Sequence, residues 1–342
     1  MNSLASEAVI LMGRCVPRPA LYACVVLAAA YAAFAYQIRT QTIFSCPAGG
    51  YSADQFLAYC QGKAYGDYEH GAFQFGLEPA LRSHVRDADV VFLGNSRLQF
   101  AFSTRATAEW FSAASTRYYL MGFLYFENVF FEEELLRKIH PRARVFVINV
   151  DDFFDQSESP PVKTIFHDPE ARRKYETKQL WQRVHASICG ALARLCGTKF
   201  AIFRSRATGS YYTAGDAQQK EVPVSYDQIV NQNVVDSNTA AALSSLSRFA
   251  QGKCVILTDV PFVGTKIGNA NAIAVAIGAK LVMPGSMEGL QTFDGYHLDR
   301  PSAEKWSRAF FAAAGQQIRS CLEDQAAIRP AAHHSALRIP GG

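Results

Sequence analysis

A chain of 342 residues with 49% hydrophobic content, including 24 Phe and 15 Tyr, can bury a sizeable core in one large or two small domains, which excludes global disorder. A formal net charge of +4 with no Lys/Arg run gives no ground for a nucleic-acid partner. The eight cysteines form no CxxC pair and no Cys/His cluster at zinc spacing, so no metal site is expected.

In chain order, residues 1–18 are a short N-terminal stretch, and Pro19 to Tyr36 carries no charged or strongly polar residue. That run is near the lower limit for a bilayer-spanning helix. With Arg14 and Arg18 before it and Arg39 after it, residues 19–38 are expected to be a transmembrane signal anchor, with a cytoplasmic N-terminus and an exported body. The rival reading is a cleaved signal peptide, because Ala33-Phe34-Ala35 is an A-x-A site, and the body is then secreted. A buried helix is the third reading. Under export, Cys46, Cys60, Cys189, Cys196, Cys254 and Cys321 meet an oxidising space. Cys46–Cys60 and Cys189–Cys196 are candidate local bridges, and Cys254, in a core strand, is a candidate free thiol. The connectivity itself stays open.

Residues 39–86 are rich in Gly, Ala and Tyr and are expected to be a tether and a small cap. A regular pattern begins after them. The continuous apolar run Val90–Leu93 suits a strand buried on both faces, and further strands are expected at Tyr118–Met121, Val145–Val150, Val255–Thr258 and Lys280–Met283. Helical stretches at Thr107–Ala114, Glu127–Ile139, Asn238–Phe249, Asn269–Ile277 and Ser302–Ala314 alternate with them. The segment 153–235 breaks the alternation and is expected to be an insertion beside the sheet. The pattern predicts an α/β fold over residues 87–318, a doubly wound five-stranded parallel sheet with helices on both faces. Residues 319–342 are expected to be a disordered tail.

In such sheets ligands bind beyond the carboxyl ends of the strands. Ser96, Gly122, Asp151, Asp294 and His297 all follow or end predicted strands. A serine hydroxyl needs a base to become a nucleophile, and the base needs a carboxylate to fix its tautomer. Ser96 in Gly94-Asn95-Ser96-Arg97 and the pair Asp294/His297 in Asp-Gly-Tyr-His supply those groups. Gly-Asn-Ser is also ordinary turn chemistry. A second Asp-x-x-His, Asp67 to His70, precedes the first sheet strand and is set aside on topology. Gly122 is a candidate backbone donor to an oxyanion, and equally a plain strand-exit glycine. Asn95, Arg97 and Asp151 are candidate site-lining residues.

Phe92-Leu93-Gly94-Asn95-Ser96 resembles the first block of the SGNH/GDSL hydrolase family, and Asp294-Gly295-Tyr296-His297-Leu298 resembles its last. The resemblance spans about Ala88–Ala314. It implies a flavodoxin-like three-layer sandwich with Ser96 as nucleophile, His297 as base, Asp294 as its orienter, and the Ser96 and Gly122 amides as oxyanion donors. It departs at Asn95, where the family has Asp, and at Asp151, where the family has an asparagine donor. The function implied is that of an exported, membrane-anchored esterase or O-acyltransferase acting on acyl, chiefly acetyl, esters of cell-envelope glycans or small esters, with no cofactor. A catalytically weak binding module working with envelope-polysaccharide assembly proteins is the alternative, favoured by Asp151.

Overall fold

The computed structural model describes residues 18–61, 65–216, 220–285 and 287–328. The chain runs through α1 (Arg18–Gln41), β1 (Gln55–Cys60), α2 (Tyr68–Phe75), α3 (Leu81–Asp87), β2 (Val90–Asn95), α4 (Ser96–Phe102), α5 (Arg105–Ala113), β3 (Tyr118–Phe123), α6 (Val129–Ile139) and β4 (Val145–Asn149). It continues through α7 (Pro160–His167), α8 (Ala171–Ala191), β5 (Ala201–Ser205), β6 (Tyr211–Ala214), β7 (Val222–Pro223), α9 (Gln232–Phe249), β8 (Cys254–Thr258), α10 (Ile267–Ile277), β9 (Lys280–Leu281), β10 (Gln291–Thr292) and α11 (Arg300–Ile328).

Five parallel strands form the central sheet in the order β3-β2-β4-β8-β9. The strand order reverses between β2 and β4, so the crevice beyond their carboxyl ends is the natural site position. Side chains alternate across the sheet because successive residues of a strand point to opposite faces. Val90, Phe92, Val145 and Val147 pack with Phe102 of α4, Phe111 of α5 and Trp306 and Phe310 of α11. Val91, Leu93, Phe146 and Ile148 pack with Phe131 and Leu135 of α6 and with Ala242 and Ile273 of α9 and α10. Both faces are therefore covered by helices, an arrangement compatible with a three-layer sandwich. Phe102 meets Phe92, Trp306 and Phe310 at ring distances of 4.7, 5.1 and 5.0 Å. Truncating it to Ala would cost about 3–5 kcal/mol, the usual range for a core phenylalanine.

Four expectations are corrected. The cap and the insertion are not separate pieces, since β1 of the former pairs antiparallel with β5 of the latter in a sheet of order β1-β5-β6. The last helix does not stop at Ala314 but runs to Ile328, because Ile318 and Leu322 continue its apolar stripe into the core. Residues 319–328 are thus helical, and the rest of the expected tail lies outside the described residues. Cys254 is not free: it is bonded to Cys321 on that longer helix. The candidate bridges Cys46–Cys60 and Cys189–Cys196 are both formed.

The fourth correction concerns the anchor. The segment is a helix, α1, with Leu21, Val25, Val26 and Leu27 exposed. Among the described residues, however, no helix is long and apolar enough to cross a membrane. Residues 1–17, including Arg14 and Cys15, lie outside the described residues.

Candidate active site

The nucleophile turn is built by β2 and α4. Gly94 sits at φ +156°, and a Cβ there would meet the Asn149 Cβ at 3.0 Å and the Leu98 Cβ at 3.2 Å, so glycine suits both the backbone and the space. Asn95 then caps α4, its Oδ1 accepting the Arg97 N–H at 2.9 Å, while its Nδ2 donates to the Asp151 carbonyl at 3.3 Å. Asn serves this cap as well as the Asp of the resembled family. Ser96 is the first residue of the helix, where a backbone N–H has no intrahelical acceptor.

The acid–base loop lies between β10 and α11. The Asp294 Oδ1 accepts the N–H groups of Tyr296 and His297 at 2.9 and 2.8 Å. Gly295, at φ +91°, permits that tight turn, and its N–H donates to the Thr292 hydroxyl at 3.1 Å. Short β10 is itself held by β7 of the insertion, with the Thr292 hydroxyl donating to the Val222 carbonyl at 2.9 Å. The insertion therefore buttresses the loop that carries the base.

These two turns meet. The His297 Nε2 lies 2.8 Å from the Ser96 Oγ, and the His297 Nδ1 lies 2.7 Å from the Asp294 Oδ2. Burial pushes the Asp294 carboxyl up, but its hydrogen bond to His297, the attraction between the two and two backbone donors outweigh burial and hold it below its ordinary value. An ionised Asp294 accepts the Nδ1 hydrogen, which leaves Nε2 free to accept the serine proton. Phe100 and Phe293 clamp the imidazole at ring distances of 4.8 and 5.5 Å. The Asp67/His70 pair does not behave this way. His70 is fully buried 3.1 Å from the Glu127 carboxylate, and Asp67 is tied to Lys178 and Tyr175.

Two expected site residues take other roles. The Gly122 N–H donates to the Gln99 Oε1 at 3.0 Å, so it is engaged and does not stand as an open oxyanion donor. Gln99 in turn donates to the Gly209 carbonyl, which ties α4 to the insertion. Asp151 is not a bare carboxylate: it forms a buried ion pair with Arg97, whose guanidinium also lies 3.3 Å from Asp152 and 4.1 Å from the centre of the Phe262 ring. Burial raises the Asp151 pKa to about 7, with Arg97 opposing and Asp152 reinforcing the rise.

Two further groups belong to this neighbourhood. Asp259 follows β8 as Asp151 follows β4, and it is buried with its pKa raised well above the carboxylate range by burial and by Asp151. Its position immediately after the predicted strand Val255–Thr258 was the available sequence signal. Glu132 is fully buried, its Oε1 accepting the Gly94 N–H at 3.1 Å, and burial keeps its pKa well above the ordinary value. It occupies the apolar stripe Val129, Glu132, Leu136, Ile139 of α6, where a carboxylate is out of pattern. Compared with family models, curated proteins and solved structures, the chain finds no match.

Proposed function

We propose that this chain is a serine esterase or O-acyltransferase of the SGNH type, acting through an acyl-serine intermediate on acyl, chiefly acetyl, esters of cell-envelope glycans. The observation that carries this reading is the relay from Ser96 through His297 to Asp294, at 2.8 and 2.7 Å. The strand order β3-β2-β4-β8-β9 also supports it, being the 2-1-3-4-5 order of flavodoxin-like sheets.

In this mechanism the Ser96 Oγ attacks the acyl carbon while the His297 Nε2 takes its proton. The developing imidazolium is stabilised by Asp294. The Ser96 N–H, at the head of α4, donates to the carbonyl oxygen as it becomes an oxyanion. Collapse breaks the ester C–O bond, and His297 returns the proton to the leaving alkoxide. Water, or a sugar hydroxyl in transfer, then loses its proton to His297, attacks the acyl-serine and regenerates the hydroxyl of Ser96.

Three disulfides favour an oxidising, extracytoplasmic space for the domain. One observation favours a second reading, a catalytically weak glycan-binding module. The Gly122 N–H is engaged by Gln99, and Asp151 stands where the resembled family has an amide donor, so one oxyanion donor remains of three. A serine-directed fluorophosphonate and p-nitrophenyl acetate separate the two. Labelling of Ser96, with labelling and turnover abolished in Ser96→Ala, supports the esterase; no labelling of Ser96 sinks it.

A further inference from the structure

Two aromatic side chains stand in solvent beside the triad. Phe126 is 53% exposed and Tyr296 is 49% exposed, and their rings meet edge to face at 5.9 Å. Tyr296 immediately precedes the base His297. Phe126 comes from the loop after β3. Arg97, next to Ser96, joins the groups: its guanidinium lies 5.4 Å from the Phe126 ring centre and 3.3 Å from the carboxylate of Asp152, whose side chain is largely exposed.

The backbone spends strain to hold this arrangement. Among the described residues six non-glycine residues adopt left-handed φ, and Tyr125, Phe126 and Asp152 are three of them, at +66°, +54° and +51°. Such conformations persist where the surrounding structure imposes them, and they gather at ligand sites. Here they turn one large apolar ring and one carboxylate outward beyond the ends of β3 and β4, the two strands that flank β2, where ordinary packing would bury the ring.

We infer that Phe126, Tyr296 and Asp152 form a saccharide-binding rim that seats the sugar ring on the alcohol side of the ester. The inference rests on the serine-esterase reading and adds to it the residues that select the substrate. The aromatic faces suit the C–H faces of a pyranose, and an exposed carboxylate accepts its hydroxyls. Rings alone would suit an aliphatic chain; rings with an exposed carboxylate held nearby by Arg97 suit a polyhydroxylated ligand. The open apolar groove of about 760 Å³ between α9 and α10, lined by Val235, Leu243 and Val275, borders none of Ser96, His297 or the rim.

The test compares kcat/KM on O-acetylated tetrasaccharides of xylose, glucose and N-acetylglucosamine with kcat/KM on methyl acetate, which is too small to reach the rim. The wild-type protein prefers at least one saccharide ester. In Phe126→Ala and in Tyr296→Ala the ratio of saccharide to methyl ester falls by about tenfold or more, the scale of one lost aromatic contact. An unmoved ratio, with both esters still turned over, overturns the rim and leaves the esterase standing. Should neither ester be turned over, the esterase reading fails, and calorimetric titration of the unacetylated tetrasaccharides into Ser96→Ala protein decides the rim separately. Binding that weakens about tenfold on adding Tyr296→Ala supports it, and binding of none of the three overturns it.

Discussion

Replacing Asp294 by Asn probes the relay at its most informative point, because it changes one atom and leaves the volume alone. Asp294 accepts three hydrogen bonds: two from the backbone of Tyr296 and His297 on Oδ1, and one from the His297 Nδ1 on Oδ2. Asparagine has one acceptor oxygen. If that oxygen keeps the two backbone donors, the NH₂ group faces Nδ1 and the imidazole must switch tautomer. Nε2 then carries the hydrogen, faces the Ser96 hydroxyl as a donor, and cannot take its proton. In a serine triad this substitution lowers kcat by roughly 10⁴-fold, about 5 kcal/mol of transition-state stabilisation. The assay is kcat for p-nitrophenyl acetate together with the rate of fluorophosphonate labelling, both of which should fall together. The melting temperature should move by no more than about 4 °C, since the backbone bonds of the turn survive. A loss below about tenfold, with Ser96→Ala fully inactive, would refute the tautomer argument.

Three other outcomes follow from the buried groups. Glu132→Gln keeps an acceptor for the Gly94 N–H and should leave stability near wild type, whereas Glu132→Leu strands that N–H and should cost about 1–3 kcal/mol in chemical denaturation. Equal costs would deny the hydrogen bond its role. Asp259 and Asp151 have raised folded pKa values, so the native state binds protons that the unfolded chain releases, and stability should decline as pH rises from about 4 to about 7. Asp259→Asn should flatten that decline by about 1.4 kcal/mol per pH unit within the window, measured by melting at several pH values; an unchanged slope would count against the buried pair. Removing the Cys254–Cys321 bridge with a Cys254→Ala/Cys321→Ala pair should cost about 4 kcal/mol, because it closes a loop of 67 residues' separation, and a cost near zero would deny that α11 is pinned to β8.

The sheet was legible along the chain because its strands are buried on both faces. Val90–Leu93 and Val145–Ile148 are continuous apolar runs of a kind that exposed strands do not show. The helical stretches of α5, α6, α9 and α10 were legible as well, whereas α7 and α8, inside the expected insertion, were not; in α6 the Glu132 carboxylate on an apolar stripe reads as a pattern error until Gly94 is seen beside it. The end of α11 was not legible. Its last turns are held by Ile318, Leu322 and the bond from Cys321 to Cys254, and those contacts join residues far apart in sequence. The pairing of β1 with β5 was hidden for the same reason: antiparallel partners about 145 residues apart leave no local signal.

The candidate site divides along the same line. Residue types, spacing and position were enough to single out Ser96, Asp294 and His297, but a strand of the wound sheet delivers only Ser96 to its edge; Asp294 and His297 follow β10, which pairs with β7 outside that sheet. Whether the serine hydroxyl reaches the imidazole depends on the insertion, which props β10 through β7, and on Phe100 and Phe293 about the ring. The fate of Gly122 and Asp151 was also decided only in three dimensions. A backbone N–H is a donor in any sequence, and only packing reveals that Gln99 has taken it. A carboxylate is an anion by composition, and only burial, with Arg97 opposing and Asp152 reinforcing, changes how tightly Asp151 holds its proton.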